Sequence, residues 1–327
     1  MSKRAAIVGT GSSLPDGVIT NADLEKLVDT SDEWITTRTG IKERRKARPD
    51  EYLSQFGIEA AKAALESAGI PPGDVELIIC ATVTPDQLIP ATACFIQTGI
   101  GSGRIPAFDM QAGCTGFVYA LTVAEQFIAA GTYRTVLVIG AELLTKYVNY
   151  EDRTTCIIFG DGAGAVVVTA VDPPRGILAS ALHNDGSMAC YIEIPGGATR
   201  EPISAEVMAK KRHLIHMKGN ETFKIAIRSL EDVCREVCEA GGVEPADVDL
   251  LIPHQANSRI IDAVGERLKI DPAKCVVNIQ RVGNTSSASI PIALDEAVRA
   301  GRLKSGDILL MAAFGAGLTW GATLCRW

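Results

Sequence analysis

The sequence contains an internal repeat that limits how the chain can fold. The segment GIPPGDVELII at 69–79 recurs as GVEPADVDLLI at 242–252, an offset of 173 residues, with matching Gly, Pro, Asp, Val and Leu positions. A longer segment at 108–131 aligns with 278–301 at an offset of 170. In each half, an amphipathic helix pattern precedes the shorter segment. Both the shorter and the longer segment lead into an apolar strand pattern. The chain is therefore predicted to be two fused copies of one unit.

The boundary between the two copies is marked by turn-forming residues. The sequence DPPRG begins at Asp172, between the apolar patterns of the two halves. We predict an N-terminal half at 1–172 and a C-terminal half at 173–327. Strand and helix patterns alternate within each half, which indicates an α/β fold with parallel or mixed sheets covered by helices.

Composition excludes several classes of protein. Of 327 residues, 47% are hydrophobic and 22% are charged, which is typical of a globular chain. The net charge of −7 argues against a general nucleic-acid binder but allows a local basic patch for an acidic partner. Nine cysteines at irregular spacings fit a reduced protein better than a disulfide framework. The N-terminal sequence has no signal-peptide pattern, so a cytoplasmic location is expected.

One uncharged stretch at 308–325 has the length of a membrane helix. Its three glycines, Gly315, Gly317 and Gly321, favour a strand, a glycine turn and a second strand instead. We therefore expect no membrane partner.

The repeat aligns three polar residues that could carry chemistry. Cys114 and Asn284 occupy equivalent positions, each after a glycine and before a helix pattern, and His254 ends an apolar strand pattern. A helix start favours a thiolate, so Cys114 is a candidate nucleophile. Each residue also has a simpler interpretation: a buried structural cysteine, a core histidine and a helix-capping asparagine. Cys234 and Cys238 are four residues apart on a helix pattern, but no partner pair nearby would complete a metal site.

Two glycine-rich runs could suggest a nucleotide site. GTGSSLP at 9–15 lacks the remaining glycine spacing and a following helix, and GDGAGA at 160–165 leads into a strand pattern. Neither has the context of a dinucleotide-binding motif. We interpret both runs as tight turns.

The whole chain resembles the β-ketoacyl-acyl-carrier-protein synthase III family, which starts type II fatty acid synthesis. The matching motifs are DTSDEWITTRTGIKERR, DMQAGCTGF, FGDGAGAVV, GNETFK, PHQANSRI, GNTSSAS and FGAGLTWG, in this order along the chain. The resemblance implies the thiolase fold, a duplicated five-layered α/β/α/β/α architecture. It also implies a homodimer, with 88–101 at the interface.

The resemblance implies an acyltransferase that condenses a short acyl-CoA with malonyl-acyl carrier protein, releasing CoA and carbon dioxide and requiring no cofactor or metal. Cys114 would carry the acyl group, and the N–H groups of Cys114 and Ala316 would form an oxyanion hole. His254 and Asn284 would stabilise the enolate that decarboxylation leaves.

Further site residues are carried over from the family by their motif positions. The resemblance assigns CoA contacts to Trp34, Arg38, Arg153, Gly219 and Asn220. It assigns carrier-protein docking to Lys224, Arg259 and Arg267, and the acyl pocket to Ile89 and Phe159. Ile89 matches a position where straight-chain-preferring members carry Phe, so slightly larger or branched short donors are expected.

The sequence departs from the family pattern at four positions within or near the matching motifs. Gly113 replaces the usual Ala before the cysteine, and Ala316 replaces the middle Gly of a Gly-Gly-Gly run. Val282 stands where His or an aromatic residue is common, and Glu266 replaces a common basic residue. None of these departures removes a catalytic group.

Three other functions fit parts of the sequence. A condensing enzyme of quinolone or polyketide assembly would use the same residues with another acyl donor. A non-catalytic protein of the thiolase fold is disfavoured because Cys114, His254 and Asn284 are all present. A papain-like hydrolase also uses Cys, His and Asn, but the papain-type motif around the cysteine is missing.

Overall fold

The structure is a computed structural model in which residues 3–327 are described. The α-helices are α1 (Asn21–Leu24), α2 (Asp32–Thr39), α3 (Leu53–Ala68), α4 (Thr92–Ile100), α5 (Gly116–Ala129), α6 (Ala205–Ala209), α7 (Gly219–Gly241), α8 (Ser258–Leu268), α9 (Ile279–Val282) and α10 (Ser289–Arg299). Short 3₁₀ turns lie at Pro72–Asp74, Gly113–Thr115, Leu144–Tyr147, Gly186–Tyr191, Pro245–Asp247, Pro272–Lys274 and Ser286–Ala288.

The strands alternate with these helices along the chain. They are β1 (Arg4–Ser13), β2 (Val18–Thr20), β3 (Glu43–Arg45), β4 (Leu77–Ala81), β5 (Ala107–Met110), β6 (Thr135–Leu143), β7 (Asp161–Val171), β8 (Gly176–Asn184), β9 (Ile192–Glu193), β10 (His216–Met217), β11 (Leu250–Pro253), β12 (Ile308–Gly315) and β13 (Thr319–Arg326).

Within the described residues, each half of the chain supplies one main sheet. The first has the strand order β1-β7-β6-β4-β5, and the second has the order β11-β12-β13-β8. In the first sheet β4 and β6 are parallel and β7 is antiparallel to β6. In the second sheet β11 and β12 are parallel and β13 is antiparallel to β12. Four strands of the first sheet, β1-β7-β6-β4, thus have the topology of β8-β13-β12-β11 in the second, and β5 has no counterpart there.

Three apolar clusters bind these sheets and helices into five layers. One cluster packs α3 and α4 on the first sheet. The central cluster joins both sheets through α5 and α10. The third packs α7 and α8 on the outer face of the second sheet. The order is helices, sheet, helices, sheet, helices, which confirms the predicted α/β/α/β/α fold class.

The sequence repeat corresponds to repeated elements of structure. The 3₁₀ turns Pro72–Asp74 and Pro245–Asp247 are equivalent, each after a long helix and before a strand of its sheet. The first sheet is built from residues 4–171 and the second from residues 176–326. The division at 172/173 falls in the connection between β7 and β8 and stays a prediction.

The interpretation of the two glycine-rich runs as turns was wrong. Gly9 and Gly11 lie within β1, where an added Cβ would come within 2.4 Å of backbone atoms of α3. Gly162 and Gly164 lie within β7, and a Cβ on Gly164 would approach the backbone of α10 to 2.6 Å. These glycines permit close helix–sheet packing, a tertiary requirement that local sequence does not reveal.

The uncharged stretch at 308–325 forms β12, a glycine turn and β13, as predicted. In the described part of the chain, none of the helices combines the length and apolar character that crossing a membrane requires. Cys234 and Cys238 are both buried in the apolar cluster under α7.

Candidate active site

Cys114 lies in the 3₁₀ turn Gly113–Thr115, which runs directly into α5. The turn packs tightly on the glycine-rich connection between β12 and β13. A Cβ added to Gly315 would stand 2.6 Å from the backbone nitrogen of Cys114, so glycine is needed there. The Thr319 hydroxyl, 2.9 Å from the carbonyl oxygens of both Ala112 and Ala316, links the two segments further.

The protonation of Cys114 differs from the sequence-based expectation. Burial raises the pKa of its thiol to about 11. Hydrogen bonds from the Ser286 side chain and from the backbone N–H groups of Ala316 and Cys114 lower this pKa, and the charge of an ionised Glu142 raises it further. Burial thus acts against the thiolate that the start of α5 favours.

Asn284 lies in the loop between α9 and α10. Its backbone N–H donates to the Ile158 carbonyl at 3.0 Å, and its own carbonyl accepts the Gly160 N–H at 2.9 Å. Its Oδ1 accepts the Ser286 N–H at 2.8 Å, so the side-chain NH₂ group is the end left to donate. The Asn284 oxygen thus caps the 3₁₀ turn Ser286–Ala288, and its NH₂ group is available to donate.

His254 follows β11 directly and is 4% exposed. Its backbone N–H donates to the Ala312 carbonyl at 2.7 Å, which ties it to β12. Its Nδ1 lies 2.6 Å from the Ser289 hydroxyl. Burial lowers the pKa of the imidazole to about 3, so the ring is neutral at physiological pH.

The loops that carry these residues meet at the centre of the molecule. The turn of Cys114 contacts the 3₁₀ turn Ser286–Ala288, and a Cβ on Gly116 would lie 3.4 Å from the Ser287 side chain. His254 joins the same region through Ser289, the first residue of α10. A thiol, two backbone N–H groups, an amide donor and a neutral imidazole are thus available for acyl transfer.

A second cluster surrounds Trp34 at the surface. The guanidinium carbons of Arg38 and Arg153 lie 4.6 Å and 5.3 Å from the centroid of the indole ring. Arg153 also donates to the Asp29 carbonyl at 2.8 Å. A base stacked between Trp34 and Arg153 needs about 7 Å between them, so Arg153 must move outward to admit it.

The residues assigned to carrier-protein docking lie on α7 and α8. Lys224 and Arg259 are exposed, and the Arg259 guanidinium carbon stands 5.1 Å from the centroid of Phe223. Arg267 instead forms an ion pair with Glu231 at 2.8 Å, which reduces its free charge. Gly219 and Asn220 are exposed at the first residues of α7.

The two acyl-pocket candidates lie in different environments. Phe159 is buried and pairs with Asn284 in a short parallel bridge. Ile89 is 85% exposed, beside Leu88 at 87%, in the loop before α4. Within this one chain, therefore, Ile89 does not line a pocket.

Sequence reasoning missed three polar residues near the site. Ser289 contacts His254, and the Ser286 side chain lowers the pKa of the Cys114 thiol. Glu142 is a fully buried carboxyl bonded to Ser287 at 2.9 Å. Ser286 and Ser289 lie within the GNTSSAS motif, which was the only signal for them. Glu142 ends an apolar strand pattern, where nothing local indicated its partners.

The duplicated five-layered fold, with Cys114 at a helix start beside His254 and Asn284, defines a condensing enzyme of the thiolase superfamily. Comparisons with known proteins narrow this class. Residues 108–186 match the family 3-oxoacyl-[acyl-carrier-protein] synthase III, and residues 238–327 match its C-terminal family. The chain belongs to the β-ketoacyl-[acyl-carrier-protein] synthase III family and is an acyltransferase of fatty acid synthesis.

Individual relatives support this assignment. The chain is 53% identical to the β-ketoacyl-[acyl-carrier-protein] synthase III of Caldanaerobacter subterraneus, covering 99% of this chain and 98% of that protein. The crystal structure of 3-oxoacyl-[acyl-carrier-protein] synthase III from Aquifex aeolicus is 51% identical, with a TM-score of 0.92 and coverage of 99% and 100%. The priming β-ketosynthase of the R1128 polyketide pathway has the same TM-score, 0.92, at 33% identity, covering 99% of this chain and 96% of that one. The polyketide alternative is therefore less supported.

Proposed function

We propose that this protein joins a short acyl group from acyl-CoA to malonyl-acyl carrier protein and releases 3-oxoacyl-acyl carrier protein. In the first half-reaction the Cys114 sulfur attacks the thioester carbonyl, and CoA leaves as the thiol with the proton that the cysteine loses. The N–H groups of Cys114 and Ala316 stabilise the oxyanion of the tetrahedral intermediate.

In the second half-reaction malonyl-acyl carrier protein replaces CoA. The bond between its carboxylate and C2 breaks, carbon dioxide leaves, and the electron pair forms an enolate. His254 Nε2–H and the Asn284 NH₂ group donate hydrogen bonds to the enolate oxygen. The enolate carbon then attacks the acyl-cysteine carbonyl, and the Cys114 sulfur is the leaving group.

One observation carries the assignment of the decarboxylation donors. Asn284 Oδ1 is occupied by the Ser286 N–H at 2.8 Å, and the neutral His254 has its Nδ1 against Ser289 at 2.6 Å. If the Ser289 hydroxyl donates to Nδ1, Nε2 carries the proton, and both side chains offer donors. Neutral donors suit an enolate because they stabilise developing charge without adding a buried cation.

The substrate-binding residues follow from the surface clusters. Trp34, Arg38 and Arg153 would bind the nucleotide of CoA, with Gly219 and Asn220 along the pantetheine path. Lys224 and Arg259 would attract the acidic carrier protein, with a smaller contribution from Arg267 because Glu231 already pairs with it.

The proposal includes a homodimer and a cytoplasmic location. Leu88 and Ile89 are large apolar side chains exposed by 87% and 85%, and Phe95 on α4 is exposed by 38%. Covering this apolar group with a second copy would remove it from water, and two-fold dimers are the commonest symmetric assembly. Ile89 would then reach the partner's acyl pocket.

Two half-reaction assays test the proposed donors. His254→Ala and Asn284→Ala should each lower malonyl decarboxylation by about 10²–10³-fold, as loss of an oxyanion donor does. Both variants should still form the acyl-enzyme from labelled acetyl-CoA. His216→Ala, which changes an exposed histidine, is the matched control and should keep both activities. Unchanged decarboxylation in both site variants would refute the assignment.

A further inference from the structure

Glu142 is a buried carboxyl that the reaction described above does not use. It lies near the end of β6 and has no exposed surface. The loop after β4 supplies three of its partners: Thr84 Oγ1 at 2.7 Å, Val83 N at 3.1 Å and Thr82 Oγ1 at 3.3 Å. Ser287, from the other half of the chain, lies 2.9 Å from its Oε1. Among the described residues, no cation forms an ion pair with Glu142.

The hydrogen bonds at Ser287 favour a protonated carboxyl. The Ser287 hydroxyl lies 2.9 Å from two acceptors, the Ala81 carbonyl oxygen and Glu142 Oε1, but it has only one proton. If Glu142 is ionised, one of these contacts has no hydrogen. If Glu142 is protonated at Oε1, it donates to Ser287, and Ser287 donates to Ala81. The protonated form therefore satisfies both contacts of the Ser287 hydroxyl, and the Val83 N–H, 3.2 Å from Oε1, still reaches Oε2 at 3.1 Å.

Ser287 also connects Glu142 to the reaction centre. Its neighbour Ser286 donates its backbone N–H to Asn284 Oδ1 at 2.8 Å, and its side chain lowers the pKa of the Cys114 thiol. A Cβ on Gly140 would stand 2.3 Å from the Ser287 carbonyl oxygen, so the segment lies directly on β6. A change at Glu142 therefore reaches the donor and the nucleophile through two adjacent serines.

We propose that Glu142 is a positioning residue for the condensation: as a neutral acid it donates to Ser287 and holds the Asn284–Ser287 segment against the turn of Cys114. This inference rests on the proposed function, because it concerns the geometry of the decarboxylation donors.

The surroundings of Glu142 make its charge state sensitive to pH. Burial raises the pKa of Glu142 to about 7, although the hydrogen bonds that Thr84, Ser287, Val83 and Ser286 donate to the ionised carboxylate act against this. The other ionisable groups around it are Cys80 on β4, Cys114, and Tyr147 after β6. None of these groups is a cation. An ionised Glu142 would therefore oppose the enolate by charge repulsion and would break the donor chain to Ser287.

The pH profile of a pre-acylated enzyme tests the proposal. Acylation masks the Cys114 thiol, so its ionisation does not contribute. The single-turnover rate with malonyl-acyl carrier protein should fall about tenfold in the wild type between pH 6 and pH 9, the size expected for one partly screened buried charge. Glu142→Gln, whose amide can donate to Ser287 and accept from Thr84, should stay within about twofold across the same range.

Glu125→Gln is the matched control. Glu125 is a half-buried carboxyl on α5, eleven residues after Cys114 in the chain and bonded to the Ser180 hydroxyl at 2.9 Å. This variant should keep the wild-type profile. A residue with only a structural role would change stability or the rate at all pH values, but not the shape of the profile.

The outcomes separate the two hypotheses. If the wild-type acyl-enzyme does not turn over malonyl-acyl carrier protein at any pH, the proposed function is wrong, and this inference with it. If the wild type is active and its profile is flat from pH 6 to 9, or if Glu142→Gln keeps the wild-type fall, only the role of Glu142 is overturned. The wild-type profile alone suffices if Glu142→Gln does not fold.

Discussion

Gly113 and Ala316 are complementary in size. Gly113 has a φ of +54°, and a Cβ added to it would stand 3.0 Å from the Ala316 Cβ and 2.9 Å from its backbone nitrogen and oxygen. These are two of the positions at which the sequence departs from the family pattern. Gly113 stands where Ala is usual, and Ala316 stands where Gly is usual. The two departures are therefore in contact beside Cys114.

A double-mutant cycle should detect this pairing. Gly113→Ala should lower the free energy of unfolding by about 2 kcal/mol, because it adds a crowded methyl group in the left-handed region. Gly113→Ala with Ala316→Gly should recover part of that loss, since one of the crowding atoms is removed. Urea unfolding at fixed protein concentration measures all four proteins. Strictly additive changes would show that the two residues are independent.

The fold could be predicted from the sequence because the internal repeat reflects the duplicated architecture. Equivalent segments such as 69–79 and 242–252 form equivalent turns and strands, and the motif order along the chain indicated the superfamily. The predictions that failed were those that depend on tertiary packing. Gly9 and Gly164 are glycine because a helix crosses close to each strand, and that helix is distant in sequence. The same applies to the site: residue types located Cys114, His254 and Asn284, but not the buried surroundings that raise the pKa of Cys114.

Alkylation of Cys114 should be strongly pH-dependent. Because burial raises the pKa of its thiol to about 11, the thiolate fraction should grow about tenfold per pH unit between pH 7 and 10. Peptide mass mapping after limiting iodoacetamide measures the rate at each pH. Acetyl-CoA added beforehand should protect Cys114 but not the exposed Cys190, which is the internal control. A rate that levels off below pH 8 would instead indicate a thiolate stabilised by the start of α5.

Ser289→Ala should slow decarboxylation without affecting acylation. The Ser289 hydroxyl is the partner of His254 Nδ1 at 2.6 Å, and without it the ring loses the hydrogen bond that favours a proton on Nε2. One lost hydrogen bond corresponds to about a tenfold decrease in rate. Ser289→Thr keeps a hydroxyl and should recover most of the rate. Equal rates in Ser289→Ala and the wild type would show that Ser289 does not orient His254.

Ile89→Phe should narrow the range of acyl donors. If Ile89 reaches the partner's pocket, a larger ring there leaves less room, and one methylene or methyl branch is worth about 1–3 kcal/mol. The ratio of kcat/KM for isobutyryl-CoA over acetyl-CoA should therefore fall by about tenfold or more, and the wild type should use donors of ten or twelve carbons poorly. Leu27→Phe, at an exposed apolar residue outside 88–101, is the control. An unchanged ratio, or a wild-type maximum at ten carbons, would overturn this assignment.

Glu142→Gln should make the protein relatively more stable as the pH rises. A carboxyl with a pKa near 4.5 when unfolded and about 7 when folded holds its proton more tightly in the folded state. The stability that it contributes is present below pH 4.5 and is lost as the pH rises through 7. Above that pH the carboxyl must ionise inside the folded protein, where burial disfavours the charge. Glutamine has no such transition. The difference in unfolding free energy between Glu142→Gln and the wild type should therefore shift by about 2–3 kcal/mol in favour of the variant from pH 5 to pH 8.5. Urea unfolding at both pH values measures this difference. Thr84→Val removes a hydrogen bond to the same carboxyl, so the ionised form loses a donor. The pH-dependent loss of stability caused by Glu142 should therefore be larger in Thr84→Val than in the wild type. A difference that is constant with pH would mean that Glu142 keeps an ordinary pKa in the folded protein.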